Sequence, residues 1–307
     1  MSANPLRERV VRFGPADGLA GILTTNRDAQ GELPHVVIVN AGIIHRVGPN
    51  RLYVDLARTM AMHGYPVLRF DLAGLGDSDA MTGGASLAES ALKDVSAAFD
   101  HLGATRGATS FVIVGLCSGA NYAVMTAFSE PRVIGALLVD PTVARTARST
   151  MVHVGRRLRN LSTLRSLLTL RHPVFRRSLG GMRSVAVAQA AAGQSGQRAE
   201  RDMHPATSNS TIRAAMQQLI DRGVHLMMVF TGGVNHVYNY EGQLYDLLPG
   251  LSFRNQLKLL YMPDTDHTVS DVTGRQKLLT ETGKWLQSVF PTGSAVTSKT
   301  PAGAAKV

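Results

Sequence analysis

Ser110 to Ala120 constrains the fold more than any other stretch of the sequence. Phe111, Val112, Ile113 and Val114 make a β-branched and aromatic run of the length of a buried strand. Gly115-Leu116-Cys117-Ser118-Gly119 follows, and Ala120 to Ser129 then reads as a helix. A chain that turns from strand to helix about one residue holds that residue at a strained backbone angle. The positions two before and two after it must then be nearly free of side chain. Gly115 and Gly119 meet this demand with Cys117 at the apex. The register with Ser118 at the apex would put Leu116 where a small residue is needed. An isolated pair of glycines around a buried cysteine would need only close helix-on-strand packing, but strand, turn and helix in succession favour a nucleophile elbow.

The rest of the chain alternates strands and helices. Arg7 to Phe13 and Gly18 to Thr25 read as a hairpin at a sheet edge, and His35 to Asn40 as an apolar strand ending in Asn40-Ala41-Gly42. Asn50 to His63 carries Leu52, Leu56 and Met60 on one helical face, and Pro66 to Phe70 is the next strand. Ser86-Leu87-Ala88-Glu89 is a capping box that opens a helix with an apolar stripe through Leu92, Val95, Phe99 and Leu102. Val133 to Val139, His225 to Phe230 and Leu257 to Met262 are further strands; Thr211 to Arg222 and the run from Leu278 to Val289 are helical. This alternation predicts an α/β fold with a mainly parallel central sheet. The expected division is a core in two parts, 1–142 and 211–291, a basic helical cap inserted at 143–210, and a small, polar, disordered tail at 292–307.

The charge is unevenly placed. The net charge is +10, and from Pro141 to Ala199 there is no acidic residue while arginines recur from Arg145 to Arg183. Leu158, Leu161, Leu164, Leu167, Leu168 and Leu170 alternate with them in a pattern compatible with amphipathic helices. Such a run is either a solvated face or a docking surface for anions. No apolar run approaches the roughly 20 residues that span a bilayer, and Met1 to Phe13 has no apolar leader segment. With a single cysteine no intramolecular disulfide can form, so a reducing cytoplasm is the expected compartment.

The sequence resembles the α/β hydrolases from about Arg7 to Phe290. The resemblance rests on the elbow Gly115 to Gly119, the turn Asp71-x-x-Gly74-x-Gly76-x-Ser78, the loop Asn40-Ala41-Gly42, and Asp266-His267 after the last strand. Asn40 to Pro49 is similar to bacterial hydrolases of the serine-aminopeptidase-like and exosortase-associated kind. The resemblance implies an α/β-hydrolase fold and the family's chain order of nucleophile before histidine.

It also implies roles for particular residues. Cys117 would attack an acyl carbonyl as thiolate, which needs a base beside it, and His267 stands where the family carries that base. The family's acid follows the strand at His225 to Phe230, but there the chain reads Thr231-Gly232-Gly233-Val234-Asn235 without a carboxylate. Asp140, at the end of the preceding strand, is favoured as third member, with Asn235 and Glu241 as alternatives. Asp264 and Asp266 read as turn residues. The oxyanion donors would be the backbone N–H of Ser118 and that of Gly42 or Ile43.

Cysteine at the elbow favours thioester and ester substrates, since exchange of one thioester for another costs little and the acyl-enzyme stays reactive. The expected activity is acyl transfer to water or another acceptor. The acyl group could ride on an acyl carrier protein or coenzyme A, with Arg156, Arg157, Arg159 and Arg165 meeting the anionic carrier or a membrane surface. No nucleic-acid motif, metal-ligand cluster, Walker loop or dinucleotide fingerprint is present in the sequence, so neither a cofactor nor a nucleic-acid partner is expected. The rival expectation, kept open by the missing carboxylate, is a non-catalytic relative that serves as a binding or scaffold protein.

Overall fold

The computed structural model describes residues 4–29, 31–81, 84, 86–159 and 209–291, and of residues 157–159 and 209–211 only the backbone. The apolar runs form the middle of one eight-stranded sheet. β1 (Leu6–Phe13) and β2 (Leu19–Asn26) are the edge hairpin; β3 (His35–Val39), β4 (Val67–Phe70), β5 (Phe111–Leu116), β6 (Val133–Val139), β7 (His225–Thr231) and β8 (Leu257–Met262) complete it. The order is β1-β2-β4-β3-β5-β6-β7-β8. β2 runs antiparallel to both β1 and β4, and every pairing from β4 to β8 is parallel. This is the α/β-hydrolase fold anticipated from the sequence.

Parallel strands need crossover helices, and those helices cover both faces. β3 and β5 are therefore buried along their whole length. Alternate side chains of one strand enter different cores. Val36 and Ile38 of β3 face Leu52, Leu56 and Met60 of α1 (Leu52–Met62) and Leu278, Trp285 and Leu286 of the C-terminal helix. Val37 and Val39 face Val95, Phe99 and Leu102 of α2 (Leu87–Arg106) and Ala120, Ala123 and Ala127 of α3 (Ser118–Ser129). The predicted capping box opens α2: Ser86 Oγ accepts from the Glu89 N–H, and the Ser86 N–H donates to Glu89 Oε2.

α4 (Ala147–Arg159) and α5 (Asn209–Asp221) bound the inserted segment. The amphipathic helices expected around Leu161 to Leu170, most of the cap, and the tail at 292–307 lie outside the described residues. Two helices depart from expectation. α6 (Gln243–Leu247) is too short to show periodicity in sequence. α7 (Val272–Val289) starts a turn and a half before Leu278, because the Asp271 side chain caps it by accepting the Gly274 N–H at 2.6 Å. Among the described residues no helix is long and apolar enough to cross a membrane, and no group of His, Cys, Asp and Glu could hold a metal ion.

Candidate active site

Cys117 sits between β5 and α3 with φ 58° and ψ −122°, a region that L-residues occupy only when their surroundings force it. The two flanking glycines are required by close approach. A Cβ on Gly115 would lie 2.1 Å from the Gly119 carbonyl oxygen, and one on Gly119 would lie 2.4 Å from the Asn40 carbonyl oxygen. The second glycine thus seats the Asn40-Ala41-Gly42 loop against the elbow. Below it, the buried Tyr53 hydroxyl accepts the Leu116 N–H at 3.2 Å.

The turn from Asp71 to Ser78 explains why the sequence spends an aspartate and two glycines there. The Asp71 side chain is fully buried, and its carboxylate accepts the Arg46 N–H at 2.5 Å, the Asp77 N–H at 3.0 Å and the Arg46 guanidinium. Asn40 Nδ2 donates to the Ile44 carbonyl at 2.8 Å and Asn40 Oδ1 accepts the Leu72 N–H at 2.9 Å. Asn40 therefore ties the loop internally and to the turn after β4, and Asp71 fixes the Arg46 end of it. These roles of Asn40, Arg46 and Asp71 were not assigned from sequence, although all three stand in the stretches that carried the resemblance.

His267 is presented by a tight turn after β8. The exposed Asp266 carboxylate accepts the Thr268 N–H at 2.8 Å and the Ser270 N–H at 3.0 Å, together with both hydroxyls. Asp266 is thus a turn residue, as expected, and these bonds hold its carboxyl well below the usual range. Val269 in the same turn takes φ 51°, an unusual angle for a β-branched residue.

The structure brings Cys117, His267 and Asp140 together. His267 Nδ1 is 2.7 Å from Asp140 Oδ2, and the His267 ring and the Cys117 thiol lie near enough to shift each other's protonation. Asp140 itself has φ 48° in front of Pro141, so the strain is shared between the ends of β5 and β6. Thr231 fixes the carboxylate in place. Its N–H donates to Asp140 Oδ1 at 2.7 Å and its hydroxyl to Asp140 Oδ2 at 2.6 Å, and both side chains are out of contact with solvent. A threonine before two glycines carries no sequence signal for this task. Only the β6–β7 register, with Val139 opposite Val229, brings it beside Asp140.

The alternatives for the third member stand elsewhere. Asn235 Oδ1 accepts from the Tyr261 hydroxyl at 3.4 Å, and Glu241 is exposed with no hydrogen bond or ion pair among the described residues. Asp140 alone of the three meets His267. The loop after β7 is glycine-rich because of its neighbours: a Cβ on Gly233 would lie 2.3 Å from the His267 nitrogen and one on Gly232 2.0 Å from the Pro263 carbonyl oxygen.

The charges follow the contacts. The Asp140 hydrogen bond, with that to Cys117, raises His267 to about 10 against the opposing effect of burial. The His267 hydrogen bond lowers the Cys117 thiol, assisted by the Ser118 N–H and opposed by burial and by the Asp140 charge. Both shifts favour a thiolate beside an imidazolium.

The expected oxyanion donors are nearby. The Ser118 N–H, at the start of α3, helps hold the Cys117 thiol low, and the Gly42 N–H donates to the Ser118 hydroxyl oxygen at 2.7 Å. Ile43 is 87% exposed on the same loop, and a Cβ on Gly42 would meet nothing within 4 Å.

Of the arginines assigned to an anionic partner, Arg156 is exposed and gives one N–H to the Asn239 carbonyl at 3.1 Å, which docks α4 on the segment after β7. The Arg157 and Arg159 side chains and all of Arg165 lie outside the described residues.

The model of the family described as serine aminopeptidase, S33, matches residues 34–250. No curated protein matches the sequence. Among solved structures the chain is similar to an esterase of Pyrococcus furiosus, with 13% identity and a TM-score of 0.58 over 94% of this chain and 95% of that one. It is also similar to proline iminopeptidase of Mycobacterium smegmatis, with 12% identity and a TM-score of 0.56 over 92% and 98% of the two chains. The α/β hydrolase GrgF from Penicillium gives 16% identity and a TM-score of 0.56 over 92% and 98%. At these identities the structural likeness speaks for the fold alone.

Proposed function

Since the chain belongs to the hydrolase family described as serine aminopeptidase, S33, we propose that it is an acyl-transfer hydrolase acting on esters or thioesters through a Cys117 acyl-enzyme. The observation that carries this is the hydrogen-bonded series Thr231, Asp140, His267, with His267 beside the elbow cysteine whose thiol it lowers. The family is described by serine, and this chain departs from that description with a cysteine at the elbow.

In this scheme the Cys117 thiolate attacks the substrate carbonyl carbon, forming the carbon–sulfur bond while the π electrons move to oxygen. The tetrahedral intermediate collapses with expulsion of the alkoxide or thiolate, which takes the proton of His267 Nε2. Asp140 keeps Nδ1 protonated and the ring oriented throughout. His267, now neutral, deprotonates water or an acceptor alcohol or thiol, which attacks the thioester carbonyl. Collapse then returns the carboxylic acid or transferred acyl product and the thiolate–imidazolium pair.

Substrate preference follows from the sulfur. Acylation by a thioester exchanges like for like, and by an activated ester such as a p-nitrophenyl ester costs little more. An amide would have to form the less stable thioester from the more stable bond. The basic segment from Arg145 to Arg183 supports delivery of the acyl group on an anionic carrier, coenzyme A or an acidic carrier protein. On this account, turnover of acyl-coenzyme A weakens with added salt while that of an uncharged ester does not. The missing carboxylate after β7, which keeps a non-catalytic relative open, is offset by Asp140 at the ring. Comparing Cys117→Ala with the native protein on p-nitrophenyl butyrate and butyryl-coenzyme A tests the assignment. Loss of both activities is expected, and turnover retained at the native rate would overturn it.

A further inference from the structure

One of the two backbone groups expected to stabilise the oxyanion is already engaged in the resting site. The Gly42 N–H is spent on Ser118 Oγ at 2.7 Å. Ser118 is 1% exposed. A hydroxyl carries one proton and two lone pairs. The Gly42 N–H occupies one lone pair, and among the described residues no acceptor takes the Ser118 hydroxyl proton. A buried donor with no acceptor is uncommon, and this one belongs to the residue directly after the nucleophile.

We propose that the Ser118 hydroxyl is itself an oxyanion donor, polarised from behind by the Gly42 N–H, so that one residue supplies both hydrogen bonds to the developing charge. As the thiolate becomes a thioether, its negative charge passes to the carbonyl oxygen. The Ser118 N–H donates to that oxygen, and the hydroxyl donates alongside it. No proton is transferred: the hydroxyl gives a hydrogen bond when charge develops and recovers its resting state when the intermediate collapses. The Gly42 N–H acts through the hydroxyl, since accepting one hydrogen bond strengthens the one a hydroxyl gives. The Gly42 loop is itself held by Asn40, whose side chain bonds the Ile44 carbonyl and the Leu72 N–H.

This assignment rests on Cys117 being the acyl-enzyme nucleophile, and the test separates the two. Ser118→Ala and Ser118→Thr are assayed on p-nitrophenyl butyrate, with iodoacetamide labelling of Cys117 and inhibition by butyraldehyde measured on the same proteins. The aldehyde forms a hemithioacetal whose oxygen stands where the oxyanion would. Removing one oxyanion donor costs about 10²–10³-fold in kcat where it has been measured. Ser118→Ala is therefore expected to lower kcat by about 100-fold with KM and the labelling rate nearly unchanged, and to weaken aldehyde inhibition to a similar degree. Ser118→Thr, which keeps the hydroxyl, is expected to restore much of kcat and of the aldehyde affinity.

An unchanged kcat in Ser118→Ala would reduce the hydroxyl to an anchor for the Gly42 loop, and a raised kcat would make it an obstruction; either overturns the proposal. If instead Cys117→Ala turns over normally, it is the nucleophile assignment that fails. If Ser118→Ala does not fold, Ser118→Thr with native aldehyde affinity supports the proposal, and a folded threonine variant without it refutes it.

Discussion

Gly233→Ala puts the predicted histidine assignment under direct mechanical stress. Gly233 does not need a left-handed φ, so alanine is conformationally acceptable there, but its Cβ would lie 2.3 Å from the His267 nitrogen and 2.5 Å from the His267 Cβ. Ordinary contact begins near 3.4 Å, so one backbone or the other must retreat by about 1 Å. His267 Nδ1 is 2.7 Å from Asp140 Oδ2, and the same displacement takes that bond beyond useful hydrogen-bond length. Misplacing a catalytic group by about 1 Å costs about 100-fold in rate, or about 2.7 kcal/mol of transition-state stabilisation. The assay is kcat on p-nitrophenyl butyrate together with the rate of Cys117 alkylation at pH 7, on protein shown by circular dichroism to be folded. Both are expected to fall together. A folded Gly233→Ala protein with native kcat and native alkylation would refute the account, because a displaced His267 would then matter to neither.

Further outcomes follow from the same contacts. Iodoacetamide labelling of Cys117 should be fast below the ordinary thiol range, since the thiol is lowered by His267, and should shift back toward that range in His267→Ala; intact mass against pH reads it without ambiguity because the chain has one cysteine. His267 is raised from 6.5 to about 10 in the folded protein, so its contribution to stability is complete below pH 6.5 and is lost as pH rises through about 10. Urea unfolding between pH 7 and 11 should show this loss in the native protein and not in His267→Ala. Thr231→Val removes a buried hydroxyl-to-carboxylate bond of 2.6 Å and should cost about 1.5–3 kcal/mol in urea unfolding, along with a fall in kcat. Gly103→Ala, in the last turns of α2, meets only the Ala108 carbonyl oxygen at 3.5 Å. It should stabilise by about 0.5–1 kcal/mol in the same experiment.

The legible part of this molecule is the part governed by local rules. β3 and β5 could be read because β-branched runs of strand length have few alternatives, and the elbow because only glycine fits where Gly115 and Gly119 meet backbone oxygens. The start of α2 was legible in its capping box. α6 was not, because five residues show no period, and the start of α7 was not, because its first turn exposes Val272 and has no apolar stripe.

In the site, the meeting of His267 with Asp140 could be anticipated from position along the chain. Thr231 could not, since its value depends on the register between β6 and β7. Nor could sequence show that the Gly42 N–H would meet the Ser118 hydroxyl, or that Arg156 would hold the Asn239 carbonyl. Those contacts join segments 76 and 83 residues apart.

The acyl-enzyme itself is the most direct object to look for. Native protein mixed with excess p-nitrophenyl butyrate, quenched in acid at short times and weighed intact, should carry one butyryl group that maps to the peptide containing Cys117. The adduct should be absent in Cys117→Ala, and in His267→Ala it should form more slowly. Turnover of the ester with no adduct at any time, or an adduct that survives in Cys117→Ala, would contradict a cysteine acyl-enzyme at this elbow.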